Sequence, residues 1–142
     1  MFHETDGRFF MHCYRSSSEQ QLLLSVGSKT TSEVWVLDAF EPQQAFACAA
    51  PRVEDHEYDV DHGVLDGVWT WFIRTNRDGI NFALYTAVDT GVAPTQADWQ
   101  NLIPHSDTTM IDGMSLNTGA MTLSLLEGGL PIIEVHPQGL TP

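Results

Sequence analysis

Three carboxylates stand at alternate positions in the stretch His56, Glu57, Tyr58, Asp59, Val60, Asp61, His62. Alternate residues of an extended strand share a face, so Glu57, Asp59 and Asp61 would project together. Like charges side by side repel, and such a face must be wet or meet cations. Two readings are open: an acidic channel wall or domain-interface rim, and an ordinary solvated strand face. Tyr58 and Val60, on the opposite face, would pack between neighbouring strands. His56 and His62 bring metal-ligating side chains, with Asp55 and Asp61 beside them. Six residues of strand span roughly 20 Å, however, too far for one ion, so no metal site is expected.

Other reactive arrangements are missing or incomplete. Gly113, Met114, Ser115, Leu116 and Asn117 come nearest to a nucleophile elbow, but the second glycine is absent and the segment reads as a strand. No HExxH pair, P-loop or Gly-rich dinucleotide fingerprint occurs, so no cofactor is expected. Cys13 and Cys48 lack CxxC spacing and sit among apolar neighbours, which predicts buried free thiols. Trp35, Trp69, Trp71, Phe72, Phe82 and Tyr85 fall on strand positions as core and packing residues. Arg74, Arg77 and Asp78 read as turn and rim charges.

The 142 residues carry a net charge of -13, which argues against nucleic acid as a partner. It suits solubility, and also an acidic surface that draws in a basic substrate or faces a basic domain. The 42% hydrophobic content is that of a globular chain. No run approaches the roughly 20 apolar residues of a membrane helix, so no membrane association is expected. The start has neither a basic n-region nor an apolar h-region, and no signal peptide is expected.

Behind these residues lies a repeated pattern of short strands. Alternating, β-branched and aromatic runs cover residues 8–14, 21–26 and 33–38, with an outer candidate at 46–48. A second set covers 56–62, 68–76 and 82–87, with an outer candidate at 101–103, and a third covers 109–116, 120–126 and 131–136. Residues 94–99 could form one helical turn. Leu22, Trp71 and Met121 open matching middle strands, and Val34, Ala83 and Ile132 matching third strands, at offsets of about 49 to 50 residues. The expected fold is therefore all-β: antiparallel blades of an incomplete β-propeller, about three blades of three to four strands, at roughly 6–50, 54–104 and 108–142. An antiparallel sandwich with regular strand spacing is the alternative.

Several segments carry a family resemblance. Residues 31–39 (Thr-Ser-Glu-Val-Trp-Val-Leu-Asp-Ala), 55–62 (Asp-His-Glu-Tyr-Asp-Val-Asp-His), 72–85 (beginning Phe-Ile-Arg-Thr-Asn-Arg-Asp-Gly) and 99–105 (Trp-Gln-Asn-Leu-Ile-Pro-His) resemble the propeller of oligopeptidase B. Oligopeptidase B, or protease II, is a branch of the prolyl oligopeptidase family of serine peptidases. The resemblance runs in one continuous order over nearly the whole chain. It implies a parent protein in which a seven-bladed propeller gates a catalytic α/β-hydrolase domain carrying a Ser-Asp-His triad. It also implies short peptides cleaved after Arg or Lys, and the free thiols expected at Cys13 and Cys48 suit a reducing cytoplasm. This chain would be about three middle blades, without catalytic residues and inactive alone. One departure lies in residues 122–129, Thr-Leu-Ser-Leu-Leu-Glu-Gly-Gly, where the family usually shows charge such as Glu-Glu-Arg.

The alternative is a propeller used as a protein-interaction scaffold, although WD-like and kelch-like signatures are not in register. A free-standing sandwich that binds a small ligand is a third reading. Each blade normally buries both broad faces, so three blades should leave two apolar faces uncovered and self-associate.

Overall fold

A computed structural model describes residues 1–137. Eleven strands form three antiparallel sheets. The first orders β1 (Phe10–Arg15), β2 (Gln21–Gly27), β3 (Ser32–Asp38) and β4 (Ala47–Cys48). The second orders β5 (Tyr58–Leu65), β6 (Val68–Thr75), β7 (Ala83–Val88) and β8 (Gln100–Ile103). The third orders β9 (Thr109–Asn117), β10 (Ala120–Glu127) and β11 (Leu130–Pro137). Each sheet is a consecutive meander, as a propeller blade is. The tail of the third set, 138–142, lies outside the described residues. A single 3-10 turn, Gln96–Asp98, occupies the stretch expected to be helical.

Turn chemistry sets the registers. Asp66 and Gly67, at φ 50° and 81°, join β5 to β6 through a two-residue turn that needs positive φ at both positions. Gly128 and Gly129, at φ 57° and 79°, do the same between β10 and β11. A bulge between Ser124 and Leu125 shifts the β9–β10 ladder by one residue.

Alternation then fills two seams. Trp71 and Ile73 point from β6 towards blade 1 and join Leu23, Val34, Val36, Tyr58 and Val60 in the first apolar cluster. Phe72 points the other way, joining Leu84, Ile111, Met121, Leu123 and Leu125 in the second. Each cluster lies between two blades, so burial is what holds the sheets face to face.

Three expectations change. Cys13 is exposed on β1, an edge strand, and Cys48 is half-buried with its thiol donating to the Ala50 carbonyl at 3.1 Å. Apolar neighbours in sequence do not bury a residue on a strand that nothing covers. Arg74 is no rim charge: its side chain is 13% exposed and its Nε–H donates to the Ile111 carbonyl at 2.7 Å, tying blade 2 to blade 3. The outer face of blade 1 is not left open. Phe2 packs edge-on against Trp35 at 5.1 Å, Arg52 bridges Glu4 and Glu33, and the Arg52 guanidinium lies 3.7 Å over the Phe9 ring. Under this N-terminal strap Leu24 and Val26 are buried. The open apolar face belongs to blade 3, where Ile133 and Val135 of β11 are 64% and 62% exposed.

Candidate functional site

β5 is the first strand of its sheet and pairs with a strand on one side only, which leaves its other edge free to carry polar groups. Its carboxylates do not form a uniform row. Glu57 precedes the strand, and its backbone is clamped by Asn76, whose side chain accepts from the Glu57 N–H at 2.8 Å. Asp59 is 60% exposed and paired with Arg74 Nη1 at 2.7 Å. The same guanidinium lies 3.7 Å over the Phe82 ring, so Arg74 meets an anion, a carbonyl and an aromatic face together. Asp61 accepts from the Ser17 N–H and from its own neighbour's, His62, each at 2.8 Å, and from the Ser17 hydroxyl. Glu57 is thus the carboxylate of the three with no hydrogen bond or ion pair to the described residues.

Tyr58 and Val60 are buried, as the alternation requires. The Tyr58 hydroxyl donates to the Ala50 carbonyl at 2.7 Å and accepts from the Val34 and Ala50 N–H groups at 2.8 and 3.1 Å. Burial pushes its phenol well above the ordinary tyrosine value.

The histidines go to different places. His56 Nε2 lies 2.8 Å from Thr75 Oγ1, and burial followed by the Arg77 charge lowers its pKa. His62 is completely buried at the seam of blades 1 and 2, with Nδ1 2.7 Å from Ser18 Oγ and Nε2 3.1 Å from Asp89 Oδ2. Burial pushes its imidazole below the usual value, against the opposing pull of Asp89 and Asp61. Among the described residues no three His, Cys, Asp or Glu side chains converge as a metal site would need.

A family model described as the N-terminal β-propeller domain of prolyl oligopeptidase matches residues 1–140. The chain belongs to the prolyl oligopeptidase family. Dipeptidyl aminopeptidase BI of Pseudoxanthomonas mexicana is 34% identical over 136 residues, covering 95% of this chain and 18% of that protein. A prolyl endopeptidase-like protein of Gallus gallus is 34% identical over 62 residues, 44% of this chain and 8% of that one. Among solved structures, oligopeptidase B from Leishmania major superposes with a TM-score of 0.82 at 23% identity, covering 96% of this chain and 18% of that chain. Oligopeptidase B from Trypanosoma brucei, with covalently bound antipain in a closed form, gives 0.78 at 25% identity, covering 94% and 18%.

The chain therefore spans less than a fifth of those prolyl oligopeptidase relatives. Its three sheets are blades of a partial β-propeller. Sequence reasoning passed over Ser18 and Asp89 as the hydrogen-bond partners of His62. They lie 44 and 27 positions away in the chain, and no local spacing links them. The signal available was a histidine on the apolar face of a strand, alternating with Tyr58 and Val60.

Proposed function

We propose that this chain is part of the substrate-gating propeller of an oligopeptidase B-like serine peptidase of the cytoplasm, which hydrolyses short peptides after Arg or Lys. The observation that carries the reading is the net charge of -13 on a prolyl oligopeptidase propeller. The cations do not dilute this charge locally, since each of the five arginines sits within 4 Å of a carboxylate. The field left over is that of the surplus acids, and it attracts cationic peptides from a distance. In this reading the propeller faces the catalytic α/β-hydrolase domain of the parent chain, and this part contributes no catalytic residue to the peptidase. Glu57, Asp59 and Asp61 form the candidate acidic channel or interface face. Glu57 is its free member.

The 34% identity to a dipeptidyl aminopeptidase favours a second reading, an enzyme that needs a free amino terminus. Assay of the full-length native protein separates them. Cleavage after Arg in an amino-blocked short peptide, with a kcat/KM that falls as salt is raised, is the expected result. Activity confined to unblocked peptides would replace the first reading by the second, and an inert full-length protein would favour a scaffold. Replacing Glu57, Asp59 and Asp61 with Asn should flatten the salt dependence. An unchanged salt dependence would remove the three from the substrate path.

A further inference from the structure

A serine, a histidine and an aspartate stand in line where blade 1 meets blade 2. Ser18 Oγ is 2.7 Å from His62 Nδ1, and His62 Nε2 is 3.1 Å from Asp89 Oδ2. Asp89 is held in turn by the Gly91 N–H, which donates to its other oxygen at 2.8 Å. The imidazole stacks on Trp69 at 5.4 Å and tilts against Trp71 at 4.7 Å, so the ring cannot swing. With Asp89 ionised, the ring proton sits on Nε2 and the Nδ1 lone pair faces the serine. Ser18 is half-buried and lines a cleft of about 200 Å3 with Gly63, Val64, Trp69, Leu116 and Asn117. A nucleophile hydrogen-bonded to a base that a third group orients is the recurring geometry of an activated hydroxyl.

We propose that Ser18 is a nucleophilic serine that takes a short activated acyl donor in this cleft, with His62 as its general base and Asp89 as the residue that positions the base. In the step, Ser18 Oγ bonds to the acyl carbon while its proton passes to His62 Nδ1. The bond from that carbon to the leaving oxygen then breaks, and the leaving group departs with the electron pair and that proton. The products are acyl-Ser18 and the free alcohol or phenol. The cleft is smaller than the roughly 300 Å3 at which pockets for drug-sized ligands begin, which limits the donor to a short acyl group. The adduct should persist, because His62 is fully buried and no water reaches Nδ1 once Ser18 is acylated. The neighbouring serines differ: Ser17 Oγ is held by the Asp61 carboxylate, and Ser16 is buried with its Oγ 2.8 Å from that of Ser18. The proposal is independent of the peptidase reading, whose catalytic serine would lie outside this chain.

The test treats the chain with p-nitrophenyl acetate, digests it with trypsin and maps acetylation within residues 16–29 by fragmentation. The expected result is one acetyl group on Ser18, with a stoichiometric release of p-nitrophenol and no turnover. His62→Gln should slow labelling by roughly 100-fold, the contribution of a general base, with tryptophan fluorescence used to confirm the fold. Asp89→Asn should slow it less. Labelling should be flat above the usual histidine range and fall as His62 gains a proton. The groups that face His62 are Asp61 of its own strand, Asp89 after β7 and the Ser18 hydroxyl, the tryptophans being uncharged. A merely structural hydroxyl would label ever faster as hydroxide rises, with no plateau. Absence of an adduct on Ser18 in the unmutated chain, or labelling of His62→Gln at the wild-type rate, overturns the proposal.

Discussion

The Tyr58 hydroxyl serves three backbone groups of blade 1, all of them buried. Tyr58→Phe would leave the Val34 and Ala50 N–H donors unpaired, while the Ala50 carbonyl keeps the Cys48 thiol, at a cost of about 1–3 kcal/mol, read from chemical denaturation. His62 and His56 make a second prediction, on pH. Their folded values lie below the ordinary 6.5, so the folded state prefers the neutral rings. Stability from these two sites is complete above the ordinary value and is lost as pH falls from there towards the folded values. A thermal melting series should show a loss beginning near pH 6.5 and reduced in His62→Gln, before the carboxylates are reached. Asp6, held near pKa 2 by Arg8, titrates far lower. At this scale the sequence showed which residues share a strand face but not whom they meet. The alternation of Glu57, Asp59 and Asp61 was readable, while the partners Arg74 and Ser17 come from another strand and another blade.

The strands themselves were largely legible, because Asp-Gly and Gly-Gly turns punctuate alternating runs whose period of two is unambiguous. The poorest match was at β5, expected over 56–62 and found at Tyr58–Leu65, since Gly63 reads as a strand breaker while the Asp66–Gly67 pair alone makes the turn. The seams between blades were not legible. Blade 1 and blade 2 are stitched by Ser32 with Tyr58, Ser18 with His62 and Tyr14 with Val60, in hydrogen bonds of 2.7 to 3.3 Å. Blade 2 and blade 3 share mostly apolar contacts, tied by the Arg74 side chain, which donates to the Ile111 carbonyl, and by the Ile111 N–H, which donates to the Asn81 carbonyl. Gly79 shows how tightly the β6–β7 turn is packed, since an added Cβ would run into the His105 ring, which is only 19% exposed. Gly79→Ala should therefore cost about 1–3 kcal/mol through overpacking, and a melting temperature equal to the parent's would contradict it.

For the whole chain the repeat period, the all-β class and the family could be read from residues, since all three rest on pattern. The strap over blade 1 could not, because Phe2, Glu4 and Phe9 carry no strand period and find Trp35 and Arg52 only in the fold. It leaves blade 3 as the side from which the chain should self-associate. Ile133→Lys with Val135→Lys should raise the monomer fraction in sedimentation, while a wild-type chain monomeric at high concentration would contradict the expectation. The unlike seams also give the molecule two ways of coming apart. Apolar attraction weakens on cooling, whereas hydrogen bonds between buried groups do not depend on it. In the cold the joint of blades 2 and 3 should loosen first, and in acid the His62 joint of blades 1 and 2. Chilled and acidified samples would then share a loss of order but expose opposite faces of blade 2.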